Sequence, residues 1–267
     1  MRERFGVPYL PSVFSRIWLV WCLAELGAFD EGMVVGQEAI QIAETIEQPW
    51  DLLAAYRGVG LLSLGKGKIQ EAIASFEQCL GLCQAWDISG WLAIIASQLG
   101  YTYALSGRMR EALPLLEEAI GQAPAKRSVY HSRPLGYLGE AYLLDGRPDD
   151  ALPLAVSALE ISISRHERGF QAYALRLVGE VAAQHKPPNL DEAEAHYHQA
   201  LALAEELGMR PLLAHCHLGL GTLYATAGQQ EQARAELFTA IVLYRAMGMT
   251  FWLPQAEAAL VQVEEQA

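Results

Sequence analysis

The run Gly60-Leu61-Leu62-Ser63-Leu64-Gly65-Lys66-Gly67 comes within one residue of a phosphate-binding P-loop, which would need Ser or Thr where Gly67 stands. That chemistry requires a strand-to-helix turn whose N–H groups wrap phosphate, and the periodicity around these glycines is helical, so nucleotide binding is not expected. His196, His198, His215 and His217 are zinc-ligand types on consecutive helical segments. Residues two apart on a helix diverge by about 200°, so neither His-x-His pair can chelate, although one histidine from each segment could meet the other. No clustered carboxylate or cysteine completes a shell, so the expectation is packing or exposed histidines. Cys79 and Cys83 share a face but coincide with apolar positions, which favours core packing over redox or zinc chemistry. Glu117, Glu118, Asp149 and Asp150 suit solvated helix faces and first helical turns. No nucleophile stands beside a base, and no enzyme, metal or cofactor is expected.

The elements that position these residues recur with a period of about forty. An alanine column runs through Ala72, Ala112, Ala151, Ala193 and Ala233, and a small residue follows seven later at Cys79, Ala119, Ala158, Ala200 and Ala240. Twelve residues before the column stand Gly60, Gly100, Gly139 and Gly221, with Gly179 fourteen before Ala193. Recurrence at this period means stacked supersecondary units. In the second unit Ala72, Ile73, Phe76, Cys79, Leu80 and Cys83 make one helical face. Gly27, Gly67, Gly107, Gly146 and Gly228 fall where one helix must end in a left-handed residue; the fifth unit substitutes Lys186-Pro187-Pro188-Asn189, with Asn189 able to cap the next helix. Small residues let paired helices approach to roughly 8 to 10 Å, so the glycine and alanine columns mark the crossings.

Hydrophobic residues at 52% and charged residues at 19% support a continuous core with no long disordered stretch. A formal charge of -12 repels nucleic acid and anionic lipid. The apolar stretch Val13 to Leu26 follows Arg2 and Arg4, but Arg16 and Glu25 interrupt it and it falls short of the roughly twenty residues a span needs. It is expected to be the first repeat helix of a cytoplasmic protein. Cys22, Cys79, Cys83 and Cys216 lie on helical stripes, and buried reduced thiols are expected.

The motifs Ala96-x-x-Leu99-Gly100-x-x-Tyr103, Leu135-x-x-Leu138-Gly139-x-x-Tyr142 and His217-x-x-Leu220-Gly221-x-x-Tyr224, with Ala72 to Phe76 and Ala193 to Tyr197 as the later Ala-x-x-x-aromatic, resemble tetratricopeptide repeats. The opening tryptophan is missing, the repeat is about six residues longer than the 34-residue form, and the closing proline survives only as Pro124. A narrower resemblance lies in Arg4-Phe5-Gly6-Val7-Pro8, Ser12 to Arg16, Trp21 to Gly27, Glu205 to Pro211 and His215 to Gly221. These segments are similar to the carboxy-terminal repeat region of bacterial proteins that join a nucleotide cyclase and an AAA-type ATPase to a repeat tail. The resemblance implies a regulatory or sensor segment without the catalytic modules.

The expected fold is an all-α right-handed superhelical solenoid, a single repeat domain over 1–267. Its hairpins run at about 12–48, 50–88, 90–124, 130–167, 169–209 and 211–248, with a capping helix at 251–264. The cap should expose Gln255, Glu257, Gln262, Glu264 and Glu265 while Leu253, Ala256, Leu260 and Val263 cover the sixth hairpin. Trp18, Val20 and Trp21 are hard to bury in the first hairpin, so its free face is expected to meet an upstream domain, a second copy or a partner. In tetratricopeptide proteins the first helix of each hairpin lines a concave groove. The resemblance places Trp21, Arg57, Tyr101, Arg133, Glu140, Tyr173, Arg176, Glu180, His215 and Thr222 there, with Phe14, Ile17, Leu61, Ser97 and Leu218. Arg133 and Arg176 could instead pair with Glu140 and Glu180. The functional expectation is a non-catalytic protein-interaction scaffold or sensor regulating a bacterial ATPase or cyclase. The alternatives are a small-molecule or peptide sensor using the same groove and a repeat-fold enzyme. A protein or peptide partner is expected, and neither nucleic acid nor membrane.

Overall fold

The computed structural model describes residues 10–122 and 132–265. Arg2, Arg4, the Arg4–Pro8 segment and Pro124 lie outside these described residues. Thirteen helices, and no strand, are found among the described residues. They fall into two compact units, residues 1–123 and 124–267.

Unit 1 holds α1 (Pro11–Glu25), α2 (Phe29–Ile46), α3 (Pro49–Lys66), α4 (Ile69–Ala85), α5 (Ser89–Leu105) and α6 (Met109–Gln122). Unit 2 holds α7 (Ser132–Leu144), α8 (Pro148–Ser164), α9 (Arg168–Gln184), α10 (Leu190–Leu207), α11 (Arg210–Thr226), α12 (Gln230–Met247) and α13 (Leu253–Glu265). Within each unit consecutive helices pack as hairpins, so the odd-numbered helices through α11 are the first arms. This is the all-α helical-repeat class that the forty-residue period predicts.

The columns do what their sizes require. Ala72, Ala112, Ala151, Ala193 and Ala233 are fully buried. A Cβ on Gly60 would lie 2.8 Å from the Phe76 ring, one on Gly100 2.7 Å from Leu116, and one on Gly221 2.6 Å from Leu237, in each case on the second arm of the same hairpin. Gly139 differs: its nearest neighbour would be Leu177 of α9, in the next hairpin. Thus Gly60 is a crossing point inside α3, and Gly67 is the left-handed end of that helix with φ 85°, where Lys68 N–H donates to the Ser63 carbonyl at 2.8 Å. No phosphate-wrapping turn exists there.

Gly27, Gly107, Gly146 and Gly228 also have positive φ, and the Asn189 carboxamide oxygen accepts from Glu192 N–H. The turns between hairpins are less uniform. Gly208 and Gly248 hold the left-handed position after α10 and α12, but Glu47, Asp87 and His166 hold it after α2, α4 and α8. For a residue with a Cβ that conformation costs about 1 kcal/mol or more.

Helix α13 closes unit 2 as an amphipathic cap: Ala256 and Val263 are buried against α12, and Gln255, Gln262, Glu264 and Glu265 are exposed. The first hairpin departs from expectation. Val20 is fully buried near Gly36, Trp21 is half-buried, and exposure concentrates in Trp18, Leu19 and Leu26. Cys22 is exposed, because the buried stripe of α1 runs Val13, Ile17, Val20, Leu23 and Ala24 and leaves position 22 outside it. The other three cysteines are buried, which pushes the Cys83 thiol up to about 11 and Cys216 up to about 12. No helix among the described residues is long and apolar enough to cross a membrane.

Candidate functional site

On α7 and α9, charged residues stand one after the column glycine (Glu140 and Glu180), six before it (Arg133) and three before it (Arg176). Those offsets lie on one helical face. Arg133 Nη1 lies 2.9 Å from Glu140 Oε1, Arg176 Nη2 lies 3.1 Å from Glu140 Oε2, and Arg176 Nη1 pairs with Glu180 Oε1. The four form a continuous ladder in which Glu140 bridges two arginines. Glu140 and Arg176 are buried. Arg133 is half-buried, its guanidinium 4.1 Å from the Tyr173 ring centre and 4.2 Å from that of Tyr137.

Burial pushes the Glu180 carboxyl above its ordinary range, against the opposing pull of Arg176, and neighbouring Glu140 pushes it further the same way. On α11, His215 Nδ1 lies 2.8 Å from the Tyr244 hydroxyl, and the ring meets Trp252 edge-on at 4.8 Å. Burial, reinforced by Arg176, drives the His215 pKa down to about 3, so the imidazole is neutral near pH 7 and can accept the Tyr244 proton. Thr222 is exposed and donates to the Leu218 carbonyl.

In unit 1 the same register is built differently. Arg57 is buried, with its guanidinium 5.5 Å from the Trp21 ring centre and 5.3 Å from that of Trp91, and its Nε–H donates to Gln98 Oε1 at 3.2 Å. Trp21 stacks on Trp18 at 5.2 Å, and Phe14 meets Trp18 edge-on. Tyr101 is half-buried on α5. Three groove assignments are corrected. Ile17 fills the space over Gly58, Ser97 is buried and donates to the Ile94 carbonyl, and Leu218 is buried. Ile17 packs against α3, and Ser97 and Leu218 are buried small or apolar residues, so the three serve packing.

The structure therefore brings together Arg133, Glu140, Tyr173, Arg176 and Glu180, and separately Trp21 with Arg57. Sequence reasoning missed Tyr137, Gln98, Trp91, Tyr244 and Trp252. Tyr137 stands four after Arg133 on α7, a spacing that could have found it, whereas Gln98 is 41 residues from Arg57 and only three-dimensional packing joins them. The histidines do not converge: His196 Nδ1 meets the Glu192 carbonyl and His217 Nδ1 meets Glu236 Oε2 at 2.5 Å. Among the described residues no three His, Cys, Asp or Glu side chains are placed to hold a metal ion.

A family model for the tetratricopeptide repeat matches residues 51–125, 91–164 and 189–250, more than half of the chain. The chain belongs to the tetratricopeptide repeat family. No curated protein sequence matches it. Among solved structures this repeat protein is similar to the Rap conjugation gene regulator of the plasmid pLS20 in complex with the Phr* peptide, at 16% identity and a TM-score of 0.69 over 90% of this chain and 66% of that one. It is also similar to a Rap protein complexed with competence and sporulation factor, at 13% identity and a TM-score of 0.65 over 96% and 87%. A third likeness is to a signal transduction ATPase with numerous domains and a tetratricopeptide repeat sensor from Pyrococcus horikoshii, at 16% identity and a TM-score of 0.52 over 97% and 39%. At these identities the likeness is one of fold.

Proposed function

We propose that this repeat protein is a non-catalytic sensor or scaffold that receives a peptide or protein segment on the first-arm face of unit 2, in the service of a bacterial ATPase or nucleotide cyclase. The observation that carries the reading is the ladder Arg133–Glu140–Arg176–Glu180. Adjacent repeats need only apolar contacts to stack, and a buried ion pair stabilises a fold little compared with well-packed apolar residues. Two arginines and two glutamates in alternation instead offer both signs of charge at fixed spacing. That suits a polypeptide, which presents carbonyl and N–H groups as well as charged side chains. Tyr173 and Tyr137 beside Arg133 supply the aromatic surface that dominates binding energy at interfaces. Two Rap proteins of like fold were solved with a peptide or with competence and sporulation factor, and a third similar structure is an ATPase with a tetratricopeptide repeat sensor.

The test places the photo-crosslinking amino acid p-benzoylphenylalanine at Tyr173 or, as control, at exposed Val156 of α8. Polypeptide adducts are expected from position 173 alone, and mass spectrometry of the adduct should find an ATPase or cyclase. Adducts from position 156 and none from 173 would overturn the assignment of the face. A low-molecular-mass adduct at 173 would overturn the polypeptide in favour of a small-molecule sensor.

A further inference from the structure

A recessed surface lies in unit 1. It is an open cavity of about 570 Å³ between the end of α2, the start of α3 and the second half of α4, and its walls include Glu44, Glu47, Tyr56, Gly81, Leu82 and Trp86. Three of these residues shape it. Gly81 sits inside a helix, where glycine is unfavourable. Unlike Gly60, Gly100 and Gly221, a Cβ there would meet nothing within 4 Å. Glu47 occupies a left-handed position with φ 53° that Gly208 and Gly248 fill in the equivalent turns of unit 2. Trp86 leaves 61% of its surface exposed. All three open onto the same cavity.

The electrostatics of that cavity ask for a cation. Helices α2 and α4 both end beside it, bringing the negative ends of two helix dipoles near, and neither helix carries a basic residue in its last turn. The nearby start of α3 is already complemented by the buried Asp51 carboxylate of its first turn. The Tyr56 hydroxyl donates to Glu44 Oε1 at 3.1 Å and fixes that carboxylate at the wall. None of the lining residues is lysine or arginine. Elsewhere the chain completes such a set itself. Arg108 lies 3.8 Å over the Tyr103 ring while pairing with Glu111, and Arg147 lies 4.3 Å over the Tyr142 ring while pairing with Asp150. At the cavity the aromatic rings and carboxylates are present and the guanidinium is not.

We infer that this cavity is a docking site for an arginine side chain presented by a partner polypeptide, stacked on Trp86 and held by Glu44 and Glu47. A planar guanidinium can stack on an indole and donate to two carboxylates at once, which an ammonium cannot. The open mouth fits a side chain that remains attached to a main chain, whereas small-molecule sites enclose most of their ligand.

The test follows the indole N–H resonance of Trp86, assigned by its loss in Trp86→Phe, during titration with N-acetyl-arginine amide, its neutral analogue N-acetyl-citrulline amide, and a blocked glycine pentapeptide with a central arginine. Saturable shifts are expected for both arginine compounds, with the pentapeptide binding at least as tightly, and none for citrulline. Gly81→Leu, which fills the cavity, and Glu47→Gly, which removes the carboxylate and its backbone strain, should each weaken binding by about tenfold or more, or roughly 1.4 kcal/mol. Both should melt at or above the parent temperature, so lost binding is separated from lost folding. Equal shifts with citrulline, or binding unchanged in Gly81→Leu, would overturn the site. Tighter binding of the amide than of the pentapeptide would overturn the polypeptide as its source.

Discussion

In unit 1 the guanidinium of Arg57 lies between the Trp21 and Trp91 rings and donates to Gln98, whereas in unit 2 Arg133 and Arg176 share the carboxylate of Glu140. Both units thus place arginine on the first arms of their hairpins. The aromatic arrangement uses polarisable faces and a neutral amide, so each partner can be changed with a local penalty. In the ladder the charges are coupled, and losing one shifts the balance of its neighbours in a poorly solvated place. The comparison teaches that the same positions of a repeat can carry charge either as isolated boxes or as one coupled network.

The largest effect should come from cutting the ladder at its shared member. Glu140→Leu leaves two arginines without their bridging carboxylate and is expected to destabilise unit 2 by about 3 to 5 kcal/mol. The counterpart in unit 1, Arg57→Met, keeps apolar volume beside the rings and leaves the Gln98 carboxamide without the Nε–H donor, at about 1 to 2 kcal/mol. Urea unfolding followed by hydrogen exchange resolved along the chain reads both. Similar losses in the two variants would break the distinction.

Acid should separate the units next. His215 has an ordinary pKa of 6.5 and is held near 3 when folded, so below pH 6.5 the unfolded state binds the extra proton. Unit 2 should therefore lose stability progressively as the pH falls from 6.5 toward 3, by on the order of a few kcal/mol. Glu180, raised by burial, works in the opposite sense as the pH rises above 4.5. His215→Phe should flatten the slope above pH 5, measured by thermal melts across pH. An unchanged slope would show that the His215 imidazole is not its source.

The smallest effect concerns the turns between hairpins. Asp87→Gly should stabilise unit 1 by about 1 kcal/mol, and Gly208→Ala should destabilise unit 2 by a similar amount, both read as shifts in melting temperature. A shift of the same sign in both would mean that left-handed strain does not govern these turns.

Much of the fold was legible before any coordinates. The Ala72-to-Ala233 and Gly60-to-Gly221 columns set the hairpin phase, because a close helix crossing tolerates only small side chains. The same phase placed Arg133, Glu140, Arg176 and Glu180 on one face, and their alternative role as mutual partners is the one realised. Ile17, Ser97 and Leu218 were misplaced because a helical wheel cannot say which side of a first arm the next hairpin covers. The exposed Cys22 and the buried Val20 have the same origin, a buried stripe through Val13, Ile17, Val20, Leu23 and Ala24 that includes position 20 and leaves 22 outside.

The sequence by itself determined the repeat, its helical arms, its left-handed glycine turns and its family, since all of these are local or periodic and follow from residue size and backbone freedom. Only the tertiary structure decided that Glu140 bridges two arginines, that Trp91 and Trp21 enclose Arg57, and that Glu47, Gly81 and Trp86 share a cavity. The deciding juxtapositions, Glu140 with Arg176, Arg57 with Trp21 and Trp91, and Glu47 with Gly81, join residues tens of positions apart, and their existence depends on how side chains of different helices pack, which no spacing along one helix encodes.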